Sequence, residues 1–334
     1  MSALADEDGA VYLRSYLAPL AEMLARPDVT DIYVNRPGEL WVETHAGQVE
    51  RHEAPRLDEA TLARLARQVA AISHQGISRE HPLLSATLPD GARVQIVAPP
   101  ATRGALALAI RKHVARDLSL EDYLESGAFE GTRRRESLGR TDADRLLASR
   151  LEAGDISGML AAAVHARKNI LVSGGTSTGK TTFLNALLRE VPSEERLILI
   201  EDTPELRVQH ENMVGLLAAR SALGEAQVTA NDLLAASLRM RPDRIIIGEL
   251  RGPEAFAFLR AVNTGHPGSM TTVHADSAER AIEQIVLLTL QAGTELGRDD
   301  VRYYVQSTID VFVQLSRVAG QRRIADIIFQ PCQV

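Results

Sequence analysis

The spacing of apolar positions changes character along the chain, and each change marks a different kind of structure. Over Val11 to Leu24, the residues Tyr16, Leu17, Leu20, Met23 and Leu24 recur at helical spacing until Pro27-Asp28 breaks the pattern, which predicts a first helix. Three short strand-like runs follow: Asp31-Ile32-Tyr33-Val34, Leu40-Trp41-Val42-Glu43 and Gln48-Val49-Glu50. Arg36-Pro37-Gly38 and His45-Ala46-Gly47 separate them, so an antiparallel meander is predicted. Asp58 to Ile72 places Leu62, Leu65, Ala66 and Val69 on one helical face, and Leu83 to Leu88 and Arg93 to Val97 flank Pro89-Asp90-Gly91 as a hairpin. With a further strand over Ala105 to Ile110, residues 1–115 read as a small α+β domain, helices laid against an antiparallel sheet.

Between 116 and 151 the composition shifts to Arg, Glu, Ser and Gly and the apolar periodicity weakens, which predicts a linker containing some helix. The run Arg133-Arg134-Arg135 within it reads as a solvated stretch, or as a contact for anionic headgroups. From 152 to 334 apolar runs alternate with helical segments: Ile170 to Ser173, Leu197 to Ile200, Ile245 to Ile247 and Met270 to Val273. That alternation predicts an α/β domain with a mostly parallel sheet covered on both faces. Near the end, Val311 to Leu315 and Ile324 to Phe329 read as a closing antiparallel hairpin around the turn Gly320-Gln321-Arg322-Arg323.

Composition narrows the class. A length of 334 residues suits about two domains, and 45% hydrophobic residues is ample for packed cores. The formal charge of −7, from 37 basic and 44 acidic side chains, carries no general footprint for nucleic acid, so direct nucleic-acid binding is not expected. A single cysteine, Cys332, permits neither a disulfide framework nor a cysteine-based zinc site, which suits a reducing cytoplasm. Met1 to Asp8 lacks the basic-then-apolar order of a signal peptide, and the most apolar helix candidate, Ala281 to Leu290, is interrupted by Glu283 and Gln284 and is too short to span a bilayer. A cytoplasmic location is expected.

The chemistry starts where the strand Ile170 to Ser173 meets the helix-like run from Thr182 to Leu188. Gly174-Gly175-Thr176-Ser177-Thr178-Gly179-Lys180-Thr181 fits G-x-x-x-x-G-K-[ST], followed by Thr182. Glycines at 174 and 179 let the backbone bend around phosphate groups, so that main-chain N–H groups converge at the start of a helix. Lys180 then reaches the β- and γ-phosphates of ATP, and the Thr181 hydroxyl ligates the accompanying Mg²⁺. Acidic groups at the ends of other apolar strands supply the remaining candidates, because sheets of this class gather ligands at the carboxyl ends of their strands. Glu249, after Ile245-Ile246-Ile247-Gly248, is placed to accept a proton from attacking water. Glu201 and Asp202, at the end of Leu197 to Ile200, are candidates for Mg²⁺ ligation through water or for positioning the nucleophile. His274, just past Met270 to Val273, would contact the γ-phosphate or the region of Glu249.

Four segments in order carry a family resemblance: the phosphate loop, Ile200-Glu201-Asp202-Thr203-Pro204-Glu205-Leu206, Gly248-Glu249-Leu250-Arg251-Gly252-Pro253-Glu254-Ala255, and Gly265 through Ala275. Together they resemble the secretion (traffic) ATPases, most of all the branch serving type IV secretion and conjugation. The resemblance runs from about Asp28 onward. It implies a RecA-like P-loop domain preceded by a smaller α+β domain, and it identifies the four segments as Walker A, acidic, Walker B and histidine boxes. It implies phosphate and Mg²⁺ roles for Lys180 and Thr181, a base role for Glu249, and places for Glu201 and His274 around the γ-phosphate. It also implies that Arg93 and Arg111, on strands of the first domain, reach a nucleotide held between the domains. By the same resemblance the protein is a homo-oligomer, a hexameric ring peripheral to the inner membrane face and working with secretion-channel components. Two departures stand out. Ser177 replaces a glycine common among relatives, and the Walker B strand ends in Gly248-Glu249 rather than in the aspartate of other P-loop enzymes. A pilus or type II-like secretion ATPase is the nearest rival, although many of those carry paired Cys-x-x-Cys motifs, absent here. A nucleotide-gated assembly protein with little turnover and a DNA-translocating motor are the others, the motor being weakened by the net charge.

Overall fold

The computed structural model describes residues 12–112, 119–130, 132, 140–219 and 224–330. Arg133-Arg134-Arg135 and Cys332 lie outside these residues. The predicted first helix is broken into helix α1 (residues 12–17), a 3₁₀ turn at Ala18–Leu20 and helix α2 (Ala21–Ala25). Pro19 is the cause, since it has no N–H to carry the helical ladder onward.

The first sheet holds strands β1 (Val29–Val34), β2 (Gly38–Thr44), β3 (Val49–Ala54), β4 (Leu83–Thr87), β5 (Arg93–Val97) and β6 (Ala107–Arg111), in the order β3-β2-β1-β6-β5-β4. Every pairing is antiparallel, and the predicted meander and hairpin are both present. Period-two alternation decides which side chains face where. Ile32, Val34, Val42, Val94, Ile96 and Ile110 pack beneath helix α3 (Glu59–Ile72), whose Leu62, Leu65 and Val69 close that core. Asp58 caps α3 by accepting the Thr61 N–H at 2.7 Å. The opposite face, with Tyr33, Trp41, Val97 and Ala109, is also buried, against the second sheet's side of the molecule.

The second sheet comprises β7 (Ile170–Gly174), β8 (Leu197–Glu201), β9 (Met213–Leu217), β10 (Arg244–Ile247), β11 (Met270–Val273), β12 (Val311–Val318) and β13 (Gln321–Phe329), in the order β13-β12-β7-β11-β10-β8-β9. All pairs are parallel except β12 with β13. Alternate residues divide between two cores. Ile170, Val172, Leu197, Leu199 and Ile246 pack with helices α5 (Asp142–Glu152), α6 (Ile156–His165) and α7 (Lys180–Leu188). Leu171, Ile198, Ile245, Ile247 and Phe312 pack on the other face with α8 (Ala230–Ser237), α9 (Glu254–Asn263), α10 (Ala278–Leu290) and α11 (Arg298–Thr308). Fully burying each such aliphatic side chain contributes about 1.5–3 kcal/mol, so the continuous apolar runs fix the doubly covered sheet. The stretch read as linker contributes helix α4 (Leu120–Glu125), with Leu120 and Leu124 exposed, and α5, whose Leu147 is fully buried. Strand β9 was not predicted, because Gly215 and its polar flank at His210-Glu211-Asn212 hide a short strand. The closing hairpin differs in detail: its turn is Ala319-Gly320, both at positive φ, and Gln321 to Arg323 belong to β13. A two-residue loop of that conformation matches the twist of paired strands.

The two sheets meet along β8 and β9. Ala101 and Arg103 exchange backbone hydrogen bonds with Leu217 and Gly215 at 2.8 Å each, which pairs the edge of β9 with a segment of the first domain. Deeper in the seam, the fully buried Arg196 stacks on the Tyr33 ring at 4.0 Å and donates to Asn35 Oδ1 and Asn212 Oδ1 at 2.7 Å. Burial holds the pKa of this guanidinium down to about 10.

Candidate nucleotide-binding site

The carboxyl ends of β7, β8, β10 and β11 converge on a cavity of about 360 Å³. β7 ends at Gly174, the chain loops through 175–179, and α7 begins at Lys180, so the loop presents a helix N-terminus to the cavity. Gly174 is required by close approach: a Cβ there would lie 2.5 Å from Thr178 Oγ1 and 3.0 Å from the Leu315 carbonyl oxygen. Gly179 is required by a φ of +93°, and the Arg322 side chain lies over it, its Cδ 2.9 Å from where a Cβ would be. Ser177 adopts a φ of +61°, so the departure from glycine noted in the sequence places a side chain in the left-handed region.

Lys180 Nζ lies at the centre of the loop, donating to the Gly174 carbonyl at 2.9 Å and standing 3.3 Å from His274 Nε2. Burial lowers its pKa, with Glu249 opposing that effect. The Thr181 hydroxyl donates to Glu205 Oε2 at 3.2 Å. This hydroxyl and the carboxylates beside it are hard oxygen donors, the kind that suits Mg²⁺, a cation that keeps several waters and shares phosphate oxygens. Thr176 and Thr182 complete the loop and the first turn of α7.

The strand-end acids differ in what they have left to offer. Glu249 Oε2 accepts from Arg251 Nε at 2.8 Å, while Oε1 is buried, has no hydrogen bond and lies 3.2 Å from His274 Nε2. Arg251 also reaches Asp202 Oδ2 at 2.6 Å, and its pKa is raised because, against the cost of burial, Glu249 and Asp202 favour the charged form. Glu201 is committed elsewhere. Its Oε1 accepts the backbone N–H groups of Glu205 and Leu206 at 2.9 and 2.8 Å, and Oε2 is ion-paired with Arg103, whose Nη1 donates to the Leu206 carbonyl at 2.9 Å. Burial lowers the pKa of Arg103. Glu201, expected around the γ-phosphate, lines the cavity and at the same time clamps the acidic loop.

The structure thus brings Gly175, Ser177, Thr178, Gly179, Lys180, Thr181, Thr182, Glu201, Asp202, Glu249 and His274 to one cavity, with Gly174 ending the strand that leads into it. It does not bring Arg93 and Arg111 there. These two are register partners on β5 and β6 and line a separate cleft with Gln75, Ser85 and Arg239. Strand geometry explains this, since residues that pair across a hairpin share a sheet position and move together. A different first-domain arginine, Arg103, meets the acidic loop behind the site, through Glu201 and the Leu206 carbonyl. Sequence reasoning missed it, together with Arg251, Glu205 and Arg322. Arg251 and Glu205 lay inside quoted motifs, whereas Arg103 and Arg322 carry no local signal.

Comparison with known proteins accords with this geometry. The family described as type II/IV secretion system protein matches residues 144–326. The chain is 39% identical to the type IV secretion system protein VirB11 of Bartonella henselae, over 98% of this chain and 95% of that protein. It is 42% identical to the type IV secretion system protein PtlH of Bordetella pertussis, over 94% of each. Among solved structures it is similar to the VirB11 ATPase from the Brucella suis type IV secretion system, crystallised with sulphate. That match has a TM-score of 0.91 at 38% identity and covers 97% of this chain and 96% of the other.

Proposed function

This chain belongs to the type II/IV secretion system protein family, and from that premise we propose that it is a ring-forming motor converting ATP hydrolysis into domain motion at a type IV secretion machine. It is an ATPase of the type IV secretion class, with a RecA-like domain and a smaller α+β domain. Its near full-length relatives carry type IV secretion names, which leaves the pilus, type II-like and low-turnover alternatives unfavoured. The observation that carries the hydrolytic reading is Glu249, which lines the cavity of the phosphate loop and whose Oε1 has no hydrogen bond and only the His274 imidazole beside it, at 3.2 Å. Such an atom has a lone pair to receive the proton of attacking water. Arg251 holds the other oxygen and so fixes which face Glu249 presents. Lys180 would exchange its carbonyl partners for phosphate oxygens as nucleotide enters. Thr181, with Glu205 on its hydroxyl, would hold Mg²⁺, whose charge offsets that of the β- and γ-phosphates.

In this reading the first domain, residues 1–115, moves against the second, to which α5 already belongs through Leu147. Arg93 and Arg111 would then act only after domain closure or across a subunit boundary. The oligomer is a hexameric ring on the cytoplasmic face of the inner membrane, touching channel components and anionic lipid. Among the described residues no helix is long and apolar enough to cross a membrane. The test is phosphate release by wild type and Lys180→Ala, with mass in solution measured with and without ATP and anionic vesicles. Wild type should turn over and assemble as a ring. Lys180→Ala should lose at least about a hundred-fold in rate, as expected when a main electrostatic contact to the transferring group is removed. Wild-type turnover in that variant would overturn the site.

A further inference from the structure

The cavity has a cation that neither the sequence motifs nor the reading above employs. Arg322 sits on β13, where it pairs in register with Arg317 of β12, and β12 in turn pairs with β7 through Leu315 and Gly174, the residue at which the phosphate loop begins. The backbone of Arg322 is therefore carried on strands continuous with the loop's own strand. The guanidinium lies over Gly179: a Cβ there would stand 3.3 Å from Arg322 Nε and 3.5 Å from Nη1. Both Arg322 and Arg251 line the cavity, and they differ in one respect. Arg251 is tied to Glu249 and Asp202, whereas Arg322 forms no ion pair or hydrogen bond among the described residues. Its register partner across the hairpin, Arg317, is itself basic, and the acid of its own strand, Asp326, lies four residues further along, opposite Gln314. An unpaired guanidinium aimed at a phosphate loop that already holds Lys180 faces like charge until an anion arrives. Its planar donors match two phosphate oxygens at once.

We propose that Arg322 is a phosphate-contacting residue of the nucleotide site, delivered within the same chain from the C-terminal hairpin onto the polyphosphate of a nucleoside di- or triphosphate. The inference rests on the nucleotide-site reading above. It gives the hairpin a role: closing β12 and β13 onto the sheet edge completes the phosphate site as well as the core.

The experiment titrates the full chain with a fluorescent N-methylanthraniloyl ADP at low and moderate salt, in wild type, Arg322→Ala, Arg322→Lys and Lys180→Ala, alongside the Tm of each without nucleotide. A charge-assisted contact to phosphate predicts that Arg322→Ala weakens ADP binding roughly ten- to a hundred-fold and flattens its salt dependence, while Arg322→Lys recovers part of the loss. Because residue 322 is exposed, the ligand-free Tm of both Arg322 variants should match wild type. Wild-type affinity in Arg322→Ala beside lost affinity in Lys180→Ala would overturn this inference and leave the site standing. Lowered ligand-free Tm with no recovery in Arg322→Lys would make Arg322 a structural residue and would also overturn it. Absence of ADP binding by wild type would remove the inference and the nucleotide-site reading together.

Discussion

The ends of β8 and β10 make an instructive pair. Both strands are buried, parallel and adjacent, and each delivers a glutamate to the same cavity, Glu201 from one and Glu249 from the other. At the end of β8 one carboxylate oxygen takes two backbone N–H groups and the other is ion-paired with Arg103 from the first domain. At the end of β10 one oxygen is held by Arg251 and the other has no hydrogen bond. Strand-end position gives access to the cavity, but lone-pair occupancy decides chemistry. A carboxylate locked by backbone N–H groups and a guanidinium holds structure together, and one whose second oxygen has only an imidazole beside it can take a proton.

The sharpest way to break this contrast is Glu249→Gln, which keeps size and removes the base. We expect hydrolysis to fall by roughly 10²–10⁴-fold while ATP affinity and thermal stability stay near wild type, as loss of general-base catalysis would give. Parallel loss of ATP binding would show that Glu249 holds the site together and would erase the distinction from Glu201. Next in size is Glu201→Gln, which keeps the acceptor for the Glu205 and Leu206 N–H groups but leaves Arg103 without its counter-charge in a buried place. Denaturant unfolding should show a loss of about 3 kcal/mol, the cost of stranding one member of a buried pair, and the Arg103→Ala, Glu201→Gln double variant should recover part of it. If Glu201→Gln instead unfolds like wild type and loses only turnover, Glu201 is the chemically active carboxylate. The smallest effect belongs to Ser177→Gly. Relieving a left-handed backbone at a non-glycine residue should stabilise the loop by about 1 kcal/mol, to be read as tighter ADP binding by isothermal titration. Unchanged or weaker binding would show that the serine side chain has a compensating contact with nucleotide.

Arg93 and Arg111 extend the same lesson to cations. Their placement on strands of the first domain was legible, and so was the phosphate loop they were expected to meet. What was not legible was which arginine of that domain pairs with the acidic loop within one chain. Arg103 does, because the segment 101–103 pairs with the edge of β9, a strand too short and too glycine-marked to be seen in the sequence.

By itself the sequence determined the phosphate loop, the alternation that builds a doubly covered parallel sheet, the antiparallel first sheet, and the four strand-end segments that face one cavity. These are local properties: periodicity, turn chemistry and fixed motif spacing are written in near neighbours, and burial of each apolar run then follows. Tertiary structure alone decided which carboxylate is spent and which is free, that Arg103 and not Arg93 or Arg111 stands beside the acidic loop, and that Arg322 lies over Gly179. Those outcomes depend on which donor from a distant part of the chain fills a given lone pair. Distant pairing is set by packing of whole elements, where a single side chain leaves no period to read.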